Sequence, residues 1–181
     1  MNKKLIKKLK NIKLIVSDVD GVLTDGRIRL AGSREEIKIF NNRDGMRIDI
    51  WLRDGLRMLW FTGRKSDAVI RRTRELKVDL LFKDDLYRLK TTFLNLMFKR
   101  YKVSPEQILY IGDDWGDIYL MTQVGVSVAP KNGSMENKKI ADIITKVNGG
   151  DGVLAEVIEI VMKTKGSWHK HVKEYFKKYL I

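Results

Sequence analysis

Short apolar runs alternating with helical patterns organise this chain. Lys13-Leu14-Ile15-Val16-Ser17 is β-branched and apolar between charged flanks, the form of a strand buried on both faces. Leu56 to Phe61, Val78 to Phe82, Ile108-Leu109-Tyr110-Ile111, residues 125–129 and residues 142–144 predict further strands. A helix is expected after the polar loop Asn41-Asn42-Arg43-Asp44-Gly45, with Asp44 as its N-cap, running through Trp51 and Leu52 to a stop at Gly55. Another, capped by Ser66, runs through Leu76, and one from about Arg88 to Tyr101 places Leu89, Phe93, Leu96 and Met97 on one face. Shorter helices are expected at 117–124 and 134–141, and a longer one from Gly152 to Met162. Arg27 to Leu30 and Glu36 to Phe40 alternate across Ala31-Gly32-Ser33, which predicts a β-hairpin projecting from the end of the first strand. Strands alternating with helices imply a parallel sheet with right-handed crossovers, an α/β fold of three layers resembling the Rossmann type.

The 181 residues suit one core. Residues 1–12 form a basic arm with Leu5, Ile6 and Leu9 at helical spacing, residues 13–164 the main domain, and residues 165–181 a basic amphipathic helix. Of the formal charge of +13, residues 1–13 carry +6 and residues 165–181 carry +4, which leaves +3 on the body. A nucleic-acid-binding domain would carry its basic stripe on the body, so no nucleic acid is expected. Basic ends favour weak attraction to anionic surfaces, a membrane among them. The last helix places Trp168, Val172, Tyr175, Phe176, Tyr179 and Leu180 on one stripe, expected to dock on its own domain or a sister subunit. His169 and His171 on it read as solvated. There is no cysteine, which excludes disulfides, thiolate metal sites and a cysteine nucleophile. Lysines interrupt the N-terminus throughout, and no apolar run approaches the ~20 residues of a membrane span, so a soluble, cytoplasmic protein is expected.

The candidate chemistry begins at Asp18-Val19-Asp20-Gly21, directly after the first strand. Open α/β sheets bind ligands at the carboxyl ends of their strands. Other strands end at Thr62-Gly63-Arg64 and at Gly112-Asp113-Asp114-Trp115-Gly116-Asp117, and the loop after the third leads to Lys90. Aspartates from two strands supply the hard oxygen ligands that Mg²⁺ prefers, with a substrate phosphate and water completing the shell. One aspartate can then attack phosphorus, and the other can protonate the leaving oxygen and later deprotonate water. Thr62 offers a hydroxyl and a following N–H to phosphate oxygens, and a lysine neutralises charge in the transition state.

These four motifs, Asp-x-Asp-Gly, a threonine after a second strand, a lysine and Gly-Asp-Asp-x-x-Asp, resemble those of the haloacid dehalogenase superfamily. The resemblance implies Asp18 as nucleophile, Asp20 as acid/base and metal ligand through its backbone carbonyl, Asp113 as a further ligand, and Asp117 in support of the metal shell. Thr62 would bind phosphate and Lys90 would be the stabilising cation. Lys83 and Arg88 compete for that last role, and Lys90 is favoured because its distance to Pro105 and Gly112 fits the family. The intervals from Asp20 to Gly63 and from Thr62 to Lys90 are too short for a separate cap domain, which leaves an open site beneath the hairpin flap.

Within the superfamily, Gly21 to Gly26, Phe40 to Gly45, Thr62 to Ser66 and Gly149-Gly150-x-Gly152 are similar to the 3-deoxy-D-manno-octulosonate 8-phosphate phosphatases of lipopolysaccharide biosynthesis. That similarity implies a Mg²⁺-dependent, capless homotetramer whose hairpin crosses a neighbour's site. Asp20, Asn41, Asn42, Arg43, Asp44, Gly45, Arg64, Arg72 and Lys90 would contact a small acidic sugar phosphate. Two departures stand out. Ala155 replaces the arginine of the late Gly-Gly-x-Gly-Ala-x-Arg-Glu block, and the terminal helix is unusually rich in lysine. The alternatives are a phosphatase for a nonulosonate 9-phosphate and a non-catalytic basic binding protein.

Overall fold

The computed structural model describes residues 1–32, 35–85 and 93–179. Helix α1 (Lys3–Asn11), capped by the Asn2 side chain, leads into strand β1 (Leu14–Ser17). The hairpin strands β2 (Arg29–Ala31) and β3 (Glu35–Ile37) follow, then helix α2 (Asn42–Arg53), strand β4 (Arg57–Thr62), helix α3 (Asp67–Leu76) and strand β5 (Asp79–Phe82). The second half continues with helix α4 (Phe93–Tyr101), strand β6 (Ile108–Ile111), helix α5 (Ile118–Met121) and strand β7 (Val126–Ala129). Helix α6 (Met135–Ile140), strand β8 (Ile143–Ile144), helix α7 (Val153–Lys165) and helix α8 (Trp168–Tyr179) complete it. The six main strands pair in parallel in the order β5-β4-β1-β6-β7-β8, and β2 and β3 form a separate antiparallel ribbon.

Strand periodicity explains the two cores. Ile15, Met58, Trp60, Leu109 and Ile111 point to one face, where they pack with Leu9 of α1, Ile48 and Trp51 of α2, and the apolar side of α7. Leu14, Val16, Leu59, Phe61, Ile108 and Tyr110 point the other way, onto Phe93 and Met97 of α4 and Leu120 and Met121 of α5. Both faces are covered, as the continuous apolar runs require. The chain goes from β1 out to β4 and β5, then returns to β6 on the other side of β1, so the sheet's topological switch point lies between β1 and β6.

Helix α2 starts earlier than expected. Its N-cap is Asn41, whose side chain accepts the Arg43 N–H at 3.0 Å, so Asp44 falls inside the first turn and is buried. The helix expected over 88–101 is seen from Phe93 onward, and Leu89 and Lys90 lie outside the described residues. Helix α8 packs on the body through Trp168 and Val172. His171 is not solvated: it is buried and pairs with Asp54 at 2.9 Å, while Ser167 donates to the same carboxylate at 2.8 Å. No helix among the described residues is long and apolar enough to cross a membrane.

Candidate active site

Asp18 is the first residue past β1, and its N–H donates to the Ile111 carbonyl of β6 at 2.9 Å, extending the ladder to aim the carboxylate over the switch point. The chain then turns sharply at Gly21, whose φ of +92° suits glycine. A Cβ there would come within 2.0 Å of an Asp113 carboxylate oxygen, so the missing side chain lets the second acidic strand end approach the first.

Asp117 organises that second strand end. Its Oδ2 accepts the Asp113 and Asp114 N–H groups at 3.1 and 3.4 Å, and its Oδ1 accepts the Tyr110 hydroxyl at 2.8 Å. Lys83, the first residue past β5, donates to Asp117 Oδ1 and contacts Asp18 Oδ1, both at 2.9 Å. Among the described residues Lys83 is therefore a cation beside the expected nucleophile, while Lys90, expected in that role, lies outside them. A lysine at the strand end reaches the neighbouring strand ends directly.

Carboxylate atoms of Asp18, Asp113 and Asp117 all lie within 4.8 Å of one another. Among the described residues three carboxylates face one ammonium, and the imbalance shows in their proton affinities. Burial, then the Asp117 charge, pushes the Asp18 carboxyl up to about 8. Burial, then Asp117, pushes Asp113 up to about 7. Burial works against the charge of Lys83, but Asp18 and Asp117 override it and hold the ammonium above its ordinary range. A divalent cation held by Asp18 and Asp113 would relieve this excess, so the donor set fits a hard metal ion. Every Asp117 oxygen is already engaged, which suits it to orienting the others rather than ligating.

The remaining expected residues divide into two groups. Thr62 ends β4, buried, with its Oγ1 accepting the Arg64 N–H at 3.2 Å, so it adjoins the β1 end. Arg64 is exposed and pairs with Glu36 of the hairpin at 3.1 Å. The Asp20 carboxylate makes an ion pair with Lys38. Asn41 donates to the Gly150 carbonyl at 3.2 Å, tying α2 to the late glycine loop, whereas Asn42 and Arg43 are exposed. Asp44 is buried, with its Oδ1 accepting the Ala155 N–H at 2.7 Å, and burial raises its carboxyl to about 6. Asp44 Oδ2 and Arg72 Nε are both buried without a hydrogen-bond partner among the described residues, and the Arg72 Nη2 lies close against Gly45. Ala155, where the family arginine was expected, is fully buried.

Lys38, Glu36 and Tyr110 were not anticipated. Period-two alternation places Glu36 and Lys38 on one face of the ribbon and Ile37 and Ile39 on the other. The polar pair turns inward, with side chains 13% and 3% exposed, and the isoleucines face out.

Comparison with known proteins decides the family. Residues 89–157 match the family model of the haloacid dehalogenase-like hydrolases. The 3-deoxy-D-manno-octulosonate 8-phosphate phosphatase of Escherichia coli K12 is 35% identical over 162 residues, covering 90% of this chain and 85% of that one. The chain belongs to the haloacid dehalogenase-like hydrolases. As such it is a hydrolase of phosphomonoesters with a parallel α/β fold and no separate cap among the described residues. The crystal structure of the octulosonate 8-phosphate phosphatase from Moraxella catarrhalis, bound to magnesium, phosphate and the sugar acid, superposes with a TM-score of 0.89 at 29% identity, covering 97% of this chain and 99% of that one. The cobalt-bound phosphatase from Haemophilus influenzae gives 0.81 at 31% identity, covering 88% and 92%.

Proposed function

We propose that this hydrolase removes the phosphate of 3-deoxy-D-manno-octulosonate 8-phosphate, with Asp18 as nucleophile and Asp20 as acid/base. The observation that carries this reading is the meeting of Asp18, Asp113, Asp117 and Lys83 at the switch point. Likeness to the phosphatases of Escherichia coli and Moraxella catarrhalis over most of the chain supports the sugar. Asp18 and Asp113 would hold Mg²⁺, which supplies positive charge to draw a phosphate dianion past the carboxylates. Asp18 attacks phosphorus as the bond to the leaving oxygen breaks, and Asp20 gives that oxygen its proton. Water then attacks the aspartyl-phosphate, Asp20 takes the water's proton, and inorganic phosphate departs with Asp18 restored. Lys83 steadies Asp18 and the charge that spreads in the transition state. Thr62 and the adjoining N–H groups hold phosphate oxygens, and Arg64 lies at the rim for the sugar acid.

An open site needs cover, and the ribbon's outward isoleucines (Ile37 49%, Ile39 59% exposed) are apolar enough to seek a partner. We take this as support for a homotetramer in which the flap meets a neighbour. The test is phosphate release from a panel of sugar phosphates, with Mg²⁺ and with chelator. Preference for the octulosonate ester, abolished by chelator, is the expected result. Preference for a nonulosonate 9-phosphate transfers the reading to that sugar, and release from none of the panel refutes it.

A further inference from the structure

The flap lysine is the one cation that touches the acid/base carboxylate among the described residues. Lys38 lies just past β3, and its ammonium reaches Asp20 Oδ1 and Glu36 Oε1, the latter at 3.3 Å. Glu36 Oε1 in turn takes the Arg64 guanidinium at 3.1 Å. The charges alternate in a row, Arg64, Glu36, Lys38, Asp20, from the loop after β4 across the ribbon to the loop after β1. A lysine side chain is rarely this buried without a reason for its charge to be there. No other described side chain or N–H bonds the Asp20 carboxylate, so its orientation depends on Lys38.

We infer that Lys38 is a positioning residue for Asp20: it engages one carboxylate oxygen so that the other faces the leaving group and carries the proton. This rests on the phosphatase reading above. The balance of the reaction is unchanged. The proton on the free Asp20 oxygen passes to the leaving oxygen as its bond to phosphorus breaks, and returns from water as the aspartyl-phosphate is cleaved. Lys38 neither gains nor loses a proton. It fixes which oxygen does the work.

Leaving groups separate this role from others. An alkyl phosphate such as a sugar phosphate needs its leaving oxygen protonated, whereas a nitrophenyl phosphate does not. In Lys38→Met, kcat for the sugar phosphate should fall about 10²-fold with KM within a few-fold. Nitrophenol should still appear as a burst of about one equivalent per enzyme, followed by slow turnover, because phosphorylation of Asp18 survives and its hydrolysis does not. The chain contains no cysteine, so Lys38→Cys treated with 2-bromoethylamine regains an ammonium at that one position and should recover sugar-phosphate turnover. Failure of that rescue, equal losses on both substrates without a burst, a rise in KM alone, or wild-type rates in Lys38→Met would each overturn the assignment. An unmodified enzyme that releases phosphate from neither substrate refutes the phosphatase reading itself, and the role of Lys38 with it.

Discussion

Asp18 and Lys83 share one ion pair whose loss should have unequal effects. Asp18→Asn keeps the shape and removes the nucleophile, so turnover of an aryl phosphate should drop to background while the thermal midpoint holds or rises, since one of three crowded acidic groups is gone. Lys83→Ala instead leaves Asp18 and Asp117 buried without their cation, and kcat should fall about 10²- to 10³-fold with a lowered midpoint. Steady-state rates and calorimetry on the two variants check both. The raised carboxyls give a pH dependence with a definite sign. Asp18, Asp113 and Asp44, at about 8, 7 and 6, hold protons in the folded state that the unfolded chain has already released above ~4. Metal-free protein should therefore lose stability as pH rises from 5 to 8, by several degrees in midpoint, and Mg²⁺ should raise the midpoint more at pH 8 than at pH 5. A flat or inverted profile contradicts the burial of these groups. Strand-end spacing alone made Asp18, Asp113 and Thr62 legible in the sequence. The reach of Lys83 to the nucleophile was less legible, because it depends on where β5 ends in the fold, and Lys90, which family spacing favours, lies outside the described residues.

Elements followed the apolar pattern closely where burial is two-sided and less closely at their ends. The six parallel strands and the hairpin were legible because their runs are short and bounded, but the start of α2 was misplaced by a competing cap. Asn41 and Asp44 both can cap a helix, and Asn41 prevails because its side chain also reaches Gly150, while Asp44 is needed under α7. Helix α8 shows the same dependence on tertiary partners. Its stripe was legible, yet the pairing of His171 with Asp54 depends on where α2 ends, 117 residues earlier. Trp168, nine-tenths buried and flanked by the Arg47 and Lys163 cations at 5.4 Å each, anchors the helix. Trp168→Ala should cost about 3 kcal/mol in denaturant unfolding and leave kcat unchanged, because this anchor is remote from the acidic cluster.

Across the whole molecule, charge and chemistry occupy opposite ends. Helices α2 and α7 both begin beside the late glycine loop, where Asn41 meets Gly150, and both end near α8, where Ser167 meets Asp54. Lys165 also donates to the Lys10 carbonyl, so the lysine-rich helices α1 and α8 gather at the starting edge of the strands. Adding salt should therefore leave KM for the sugar phosphate nearly unchanged while weakening any adhesion to anionic vesicles, which co-sedimentation would report. Assembly belongs to this scale too: light scattering should give a tetramer, and Ile37→Lys on the outer face of the ribbon should break it into smaller species with reduced activity.

The late loop touches the nucleophile loop backbone to backbone. A Cβ on Gly149 would come within 1.8 Å of the Gly21 carbonyl oxygen, and Gly150 donates its N–H to the Val22 carbonyl at 3.0 Å. One methyl group at position 149 would act as a wedge, prising the two peptide planes apart and swinging Asp18 off its aim without meeting any substrate. Such a damaged enzyme would keep every acidic side chain and still be idle.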